Sequence, residues 1–289
     1  LLGFHCNEVL ASKYRVVSTW CRHPLVQEGS EHFDALADQG ALCALLERTA
    51  PALVINTVAY VTVDGCEANA EMAQKLNVDF VRNLVSAMRD VGTGSSHLIH
   101  ISSDSVYGQR DVNRPWQEED NKRPLSVYAR TKLESEREAL THSGPVSVLR
   151  TAFYGINPHS RISLLWWIVE NARNGVPMNG WENIYFSPVS ARRLALGIGM
   201  IFERGVSGIF NAGSLDSCNK YDFVGAVCDY LNIPATINRL RSHQGGGQPI
   251  RPEFSVLDSR RLAAVIPWEV TWREDLHAYL QHMPPFPIQ

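Results

Sequence analysis

Short apolar runs rich in Val and Ile recur through the first half of the chain: "YRVVST" (14–19), "ALVINT" (52–57), "HLIHIS" (97–102) and "VSVLRT" (146–151). Runs of this length and composition predict strands. Between them, residues 38–49, 66–92 and 127–140 repeat their apolar positions with helical spacing, and "LLGFHCNEVL" (1–10) sets Leu2, Cys6, Val9 and Leu10 on one helical face. Strands separated by helices predict right-handed crossovers and a parallel sheet covered on both faces, a doubly wound α/β fold. After residue 150 the alternation loosens. Helices are expected at 160–175, 191–205 and 220–232, a strand at 208–213, and a loop at "SHQGGGQPIRPE" (242–253). This region predicts a smaller α+β part closing over a cleft.

Composition narrows the classes open to such a fold. The 289 residues are 45% hydrophobic and 20% charged, which is ordinary for a globular enzyme. The formal net charge of -3 lacks the basic surplus that binding nucleic acid draws on. The longest apolar runs, 164–169 and 194–202, fall far short of the roughly 20 residues of a membrane helix. Six scattered cysteines form no Cys-x-x-Cys pair and have no His at zinc spacing, so no metal site is expected. Reduced thiols fit a cytoplasmic protein.

In a doubly wound sheet, chemistry gathers beyond the carboxyl ends of the strands. There stands "HISSDSVYG", with Ser102, Ser103 and Asp104, followed by "PLSVYARTKLESE". Tyr128 and Lys132 are four apart in a helix, which puts them on one face a turn apart. An ammonium beside a phenol favours the phenolate, and a phenol so tuned suits proton donation to a carbonyl oxygen. Taken singly, the pair also fits a solvated helix face, and the serines also fit a turn cap.

Together these segments resemble the extended short-chain dehydrogenase/reductase family. Within it, the chain is similar to the dTDP-4-dehydrorhamnose reductases and their non-synthetic relative, the regulatory subunit of methionine adenosyltransferase. "VINTVAYVTVDGCE" and "RPEFSVLDSRRL" extend the likeness over nearly the whole length. The resemblance implies a Rossmann domain made of residues 1–152 with 187–216, and a substrate domain made of 153–186 with 217–289. Leu2 and Gly3 are similar to the tail of the family's Gly-x-x-Gly-x-x-Gly turn. That implies a first strand and earlier glycines ahead of Leu1.

The cofactor implied is NADPH or NADH. Arg22 would meet a 2'-phosphate, and Asp34 the adenine. Ala59 and Tyr60 would line the cofactor loop, Asn77 would support it, and Ser102 would bind the cofactor from the strand end. Lys132 would hold the ribose hydroxyls and lower the Tyr128 pKa, Ser103 would orient a keto oxygen, and Tyr128 would protonate it. Asp104, Ser105, Phe153 and Arg251 would face the sugar.

Ser105 stands where sugar dehydratases carry a Glu, which favours reduction over elimination. Phe153 replaces an expected Trp, and Arg192 and Arg193 replace usual acids. The activity implied is reduction of a 4-keto-6-deoxy nucleotide sugar for polysaccharide biosynthesis, with a nucleotide-diphosphate sugar as partner and a homodimer as the assembly. Its alternatives are a regulatory subunit without turnover and a nucleotide-sugar epimerase.

Overall fold

A computed structural model describes residues 1–21, 29–110, 114–156, 163–241 and 252–283. Helix α1 (Leu2–Leu10) leads to β1 (Ser18–Trp20), β2 (Ser30–His32), α2 (Gln39–Thr49) and β3 (Leu53–Asn56). Then come α3 (Val63–Ala68), α4 (Ala70–Gln74), a π-helical turn (Lys75–Asp79) and α5 (Phe80–Asp90). Strand β4 (His97–Ile101), a 3-10 turn (Asp104–Tyr107), α6 (Val127–Ala139) and β5 (Val146–Arg150) follow. The second half holds β6 (Phe153–Tyr154), α7 (Leu164–Arg173), β7 (Met178–Trp181), β8 (Tyr185–Phe186), β9 (Val189–Ser190), α8 (Ala191–Glu203) and β10 (Gly208–Asn211). It closes with β11 (Cys218–Asn219), α9 (Lys220–Tyr230), β12 (Ile237–Leu240), β13 (Phe254–Ser255), α10 (Arg260–Ala263) and α11 (Trp272–Gln281).

Strands β10, β5, β4 and β3 form one parallel sheet in that order. Every residue of β4 and β5 is buried, because helices cover both faces of a central parallel strand. The polar members of these strands are partnered: His97 Nε2 meets Ser147 Oγ at 2.9 Å. On one face α1 and α8 pack around Trp268, whose indole donates to Gly213 O at 2.8 Å. Gly197 of α8 is needed there, since a Cβ would sit 2.5 Å from the Trp268 ring. On the other face α2 and α5 bury Leu42, Leu46, Val81 and Met88. A separate apolar cluster joins α7, α9 and α11 around Phe223 and Leu276.

The sheet is interrupted. Strands β1 and β2 pair with each other in parallel, apart from the other four. A cavity of about 580 Å³ lies between them, lined by Val16 to Trp20 on one side and Leu53 to Asn56 on the other. This explains why the expected strand at 14–19 shrinks to Ser18–Trp20, paired along one edge only.

The helix expected over 66–92 is also broken. Asn69 leaves helical geometry (φ -142°, ψ 74°), and its side chain accepts from Met72 N at 3.0 Å, starting a new helix. An Asn side chain that bonds local backbone competes with the helix ladder in this way. The expected loop at 242–253 and the first turn of the helix at 160–175 lie almost wholly outside the described residues, as do Arg22 and Arg251.

Candidate active site

The carboxyl end of β4 runs straight into the 3-10 turn, and Ser103 caps that turn by accepting from Ser105 N at 3.2 Å. The turn-cap reading of this serine and its placement at a strand end are therefore both true. Ser126 caps α6 by accepting from Ala129 N at 3.1 Å, so Tyr128 falls in the first helical turn and Lys132 one turn deeper. The Ser103 side chain lies beside the Tyr128 hydroxyl, close enough to act on its ionisation. Tyr128 is half-buried, whereas Lys132 is only 2% exposed.

Burial decides the protonation of this pair. It pushes the Tyr128 phenol up to about 12; the Ser103 hydrogen bond opposes the rise, and Asp104 and Cys66 add to it. Lys132 is neutral by the pH at which the phenol ionises. The reason is that burial pulls the ammonium itself down to about 8, with Glu136 opposing. Tyr128 is thus firmly a proton carrier at neutral pH.

The loop after β3 is held against this helix by Asn77, which is fully buried on the π-helical turn. Its Oδ1 accepts from Tyr60 N at 2.7 Å, and its Nδ2 donates to Tyr60 O at 3.2 Å and to Thr131 Oγ1 at 2.9 Å. Thr131 in turn donates to the carbonyl of Tyr128 at 2.9 Å. Asn77 therefore fixes the Ala59–Tyr60 loop relative to the tyrosine helix. Single π turns of this kind recur at functional sites.

Other expected residues are placed differently. The Ser102 hydroxyl turns away from the crevice and donates to Glu136 Oε1 at 2.5 Å. Leu2 is buried in the cluster beneath α1 and α8, so its side chain belongs to the core, and Phe153 packs on the same cluster. Gly3 faces Thr57, whose Oγ1 would lie 3.3 Å from an added Cβ. Asp34 is exposed in its own turn, accepting from Leu36 N at 2.9 Å. Asp104 accepts from Ser103 and Ser105 at 3.0 and 3.3 Å; burial raises its pKa against the pull of the nearby Ser255, Ser103 and Ser105 hydroxyls and of Lys220. Arg192 and Arg193 lie near carboxylates, 3.6 Å from Glu8 and Asp275 respectively.

Behind the crevice lie residues that the sequence did not single out: Asn56, His100, Glu136 and Arg150. The one legible signal was Glu136, four residues beyond Lys132 on the same helical face. Among the described residues no cluster of His, Cys, Asp and Glu is arranged to hold a metal ion.

A doubly wound sheet with a serine from one strand end, and a tyrosine and lysine a turn apart on the next helix, defines an extended short-chain dehydrogenase/reductase. The chain belongs to the family whose model is described as the RmlD substrate binding domain, which matches residues 11–284. It is 30% identical over 259 residues to a probable dTDP-4,6-dihydroxy-2-methyloxan-3-one 4-ketoreductase of Streptomyces antibioticus, covering 85% of this chain and 84% of that one. It is 28% identical over 257 residues to the beta subunit of methionine adenosyltransferase 2 of Xenopus tropicalis, covering 85% and 75%. Its fold is similar to that of a dTDP-4-dehydrorhamnose reductase of Bacillus anthracis solved in complex with NADP, with a TM-score of 0.78 at 20% identity over 88% of this chain and 90% of that one.

Proposed function

We propose that this chain is an NAD(P)H-dependent reductase acting on the keto group of a 4-keto-6-deoxy nucleotide sugar. The observation that carries the reading is the Tyr128 hydroxyl beside Ser103, with the buried Lys132 one turn on. The name of the Streptomyces relative, a 4-ketoreductase of a dTDP sugar, supports the substrate class.

The residues present fit a dinucleotide. The first turn of α1 holds no acid, so its amides and dipole suit a pyrophosphate. Gly3 keeps the space beside Thr57 clear of a side chain. Lys132 is buried with no carboxylate in ion-pairing range among the described residues, as suits a hydrogen-bond donor to ribose hydroxyls. When bound, NADPH or NADH supplies the hydride.

The chain's own groups supply the rest. Ser103 donates to the keto oxygen and sets its direction. Tyr128, protonated because burial disfavours its anion, gives its proton to that oxygen as negative charge develops there. Asn77 keeps the loop and helix in register so that these donors are aimed before substrate arrives. Ser105 offers a hydroxyl where a base would be needed for elimination, which favours reduction over dehydration.

Purified protein with NADPH or NADH and dTDP-4-keto-6-deoxyglucose is expected to consume the dinucleotide stoichiometrically with sugar reduction. Tyr128→Phe is expected to lower kcat by about 100-fold or more while dinucleotide binding persists. Failure to consume either dinucleotide with any 4-keto-6-deoxy nucleotide sugar would replace this reading with that of a non-catalytic subunit.

A further inference from the structure

Beneath Lys132 the sheet offers an imidazole. His100 of β4 is 0% exposed, and its Nε2 lies 3.5 Å from Lys132 Nζ and 2.9 Å from Ser135 Oγ. Its Nδ1 lies 3.1 Å from Asn56 Nδ2. The neighbours fix where the ring carries its proton. Val58 N–H donates to Asn56 Oδ1 at 3.0 Å, so the amide turns its oxygen to Val58 and its NH2 to the ring. An NH2 group can only donate, which makes Nδ1 the bare nitrogen and puts the proton on Nε2. Nε2–H then donates to Ser135 Oγ, whose own proton goes to the Lys132 carbonyl at 2.7 Å. One arrangement of protons satisfies the whole chain from Val58 to Ser135.

We propose that Asn56 and His100 are positioning residues for Lys132: by holding the ring as the neutral Nε2–H tautomer, they deny the ammonium an acceptor on its buried side and turn its protons towards Tyr128 and the crevice. The inference rests on the reductase reading of the site. The opposite tautomer would accept from Nζ and tether the lysine inwards. The charged group beside the ring is Lys132 from α6; Glu136, one turn further along that helix, is paired with Arg150 from β5. Strand β3 contributes the neutral Asn56, and His97 of β4 is bonded to Ser147. Burial, reinforced by Lys132, keeps His100 itself far below the ordinary imidazole range, so it stays neutral. A second consequence concerns proton supply. Nε2 already bears a proton and Nδ1 faces a donor, so the proton that Tyr128 gives up is replaced from the crevice and not through the core.

The test reads the protein without cofactor or substrate, by nuclear magnetic resonance. In the wild type, the ring 15N shifts of His100 are expected to report the Nε2–H tautomer throughout the neutral range, and the Lys132 13Cε signal to titrate near 8. In Asn56→Asp, the carboxylate accepts from Nδ1 and leaves Nε2 bare against the lysine. The Lys132 titration is then expected to rise by about one unit or more, with the ring tautomer reversed. In turnover the same variant is expected to lose about tenfold in kcat with little change in the sugar KM, and to move the alkaline limb of its pH profile upwards. In Asn56→Asp combined with His100→Phe the carboxylate remains without the ring, and the Lys132 titration is expected to stay below that of the single variant.

A bare Nε2 in the wild type overturns the proposal. So does an unchanged Lys132 titration in Asn56→Asp, or an equal rise in the double variant. The spectra do not depend on turnover, so an inactive wild type would sink the reductase reading while leaving the tautomer result to stand or fall by itself.

Discussion

The Arg150 guanidinium grips both oxygens of Glu136, with Nε 2.9 Å from Oε1 and NH2 2.7 Å from Oε2, and both side chains are at most 3% exposed. The pair also receives the Ser102 hydroxyl at 2.5 Å, and Arg150 donates to the Tyr107 hydroxyl at 2.8 Å, which passes its proton to Asn211 Oδ1 at 2.7 Å. A planar fork on a carboxylate is the geometry in which a buried ion pair is well compensated. It anchors the strand end from which Ser103 projects to the helix that carries Tyr128.

Glu136→Gln leaves the Arg150 charge buried without its counterion. The expected loss of unfolding free energy is about 3–5 kcal/mol, measured by urea denaturation. A loss under about 1 kcal/mol would mean that water or a second acceptor reaches Arg150.

Lys132→Met should stabilise the fold at neutral pH. Burial lowers the lysine from its ordinary 10.5 to about 8, so the unfolded chain binds this proton more tightly than the folded one. The cost is full below the folded value, shrinks as pH rises from about 8 to 10.5, and is gone above that range. At about 1.4 kcal/mol per unit, the variant gains up to about 3 kcal/mol at pH 7 and almost nothing by pH 11. Urea unfolding at the two pH values checks this, and an equal gain at both would contradict it.

Asn77→Ala removes three hydrogen bonds and leaves the Tyr60 amide without its acceptor. A stability loss of about 1–3 kcal/mol is expected, together with roughly tenfold weaker NADPH binding by fluorescence titration. Unaltered NADPH affinity in a destabilised variant would separate the Tyr60 loop from cofactor binding.

The sequence made β3, β4, β5 and α6 legible for a physical reason. A central parallel strand is buried on both faces and reads as an unbroken apolar run, and α6 follows a serine cap. Strand β2, with the polar sequence Ser-Glu-His, carries no such signal, and the two-residue strands β6, β8, β9, β11 and β13 are set by tertiary pairing alone. The tyrosine and lysine could be read because helical spacing fixes their common face. Ser102 was placed in the crevice and Lys132 beside the phenol as a charge; the structure turns the first towards Glu136 and buries the second, lowering its pKa to about 8. Both outcomes depend on Glu136 and on burial, which local spacing does not encode. Asn56 and His100 read only as members of apolar strands, since their partnership crosses 44 residues.

The interruption between β1 and β3 separates the candidate residues into two groups. Ser103, Tyr128, Lys132 and Asn77 all belong to the four-stranded side, while Asp34 belongs to the two-stranded side, joined to it chiefly through α2 against α5 and α1 against α8. The packing of α2 on α5 and of α1 on α8 is therefore what sets one group of residues against the other.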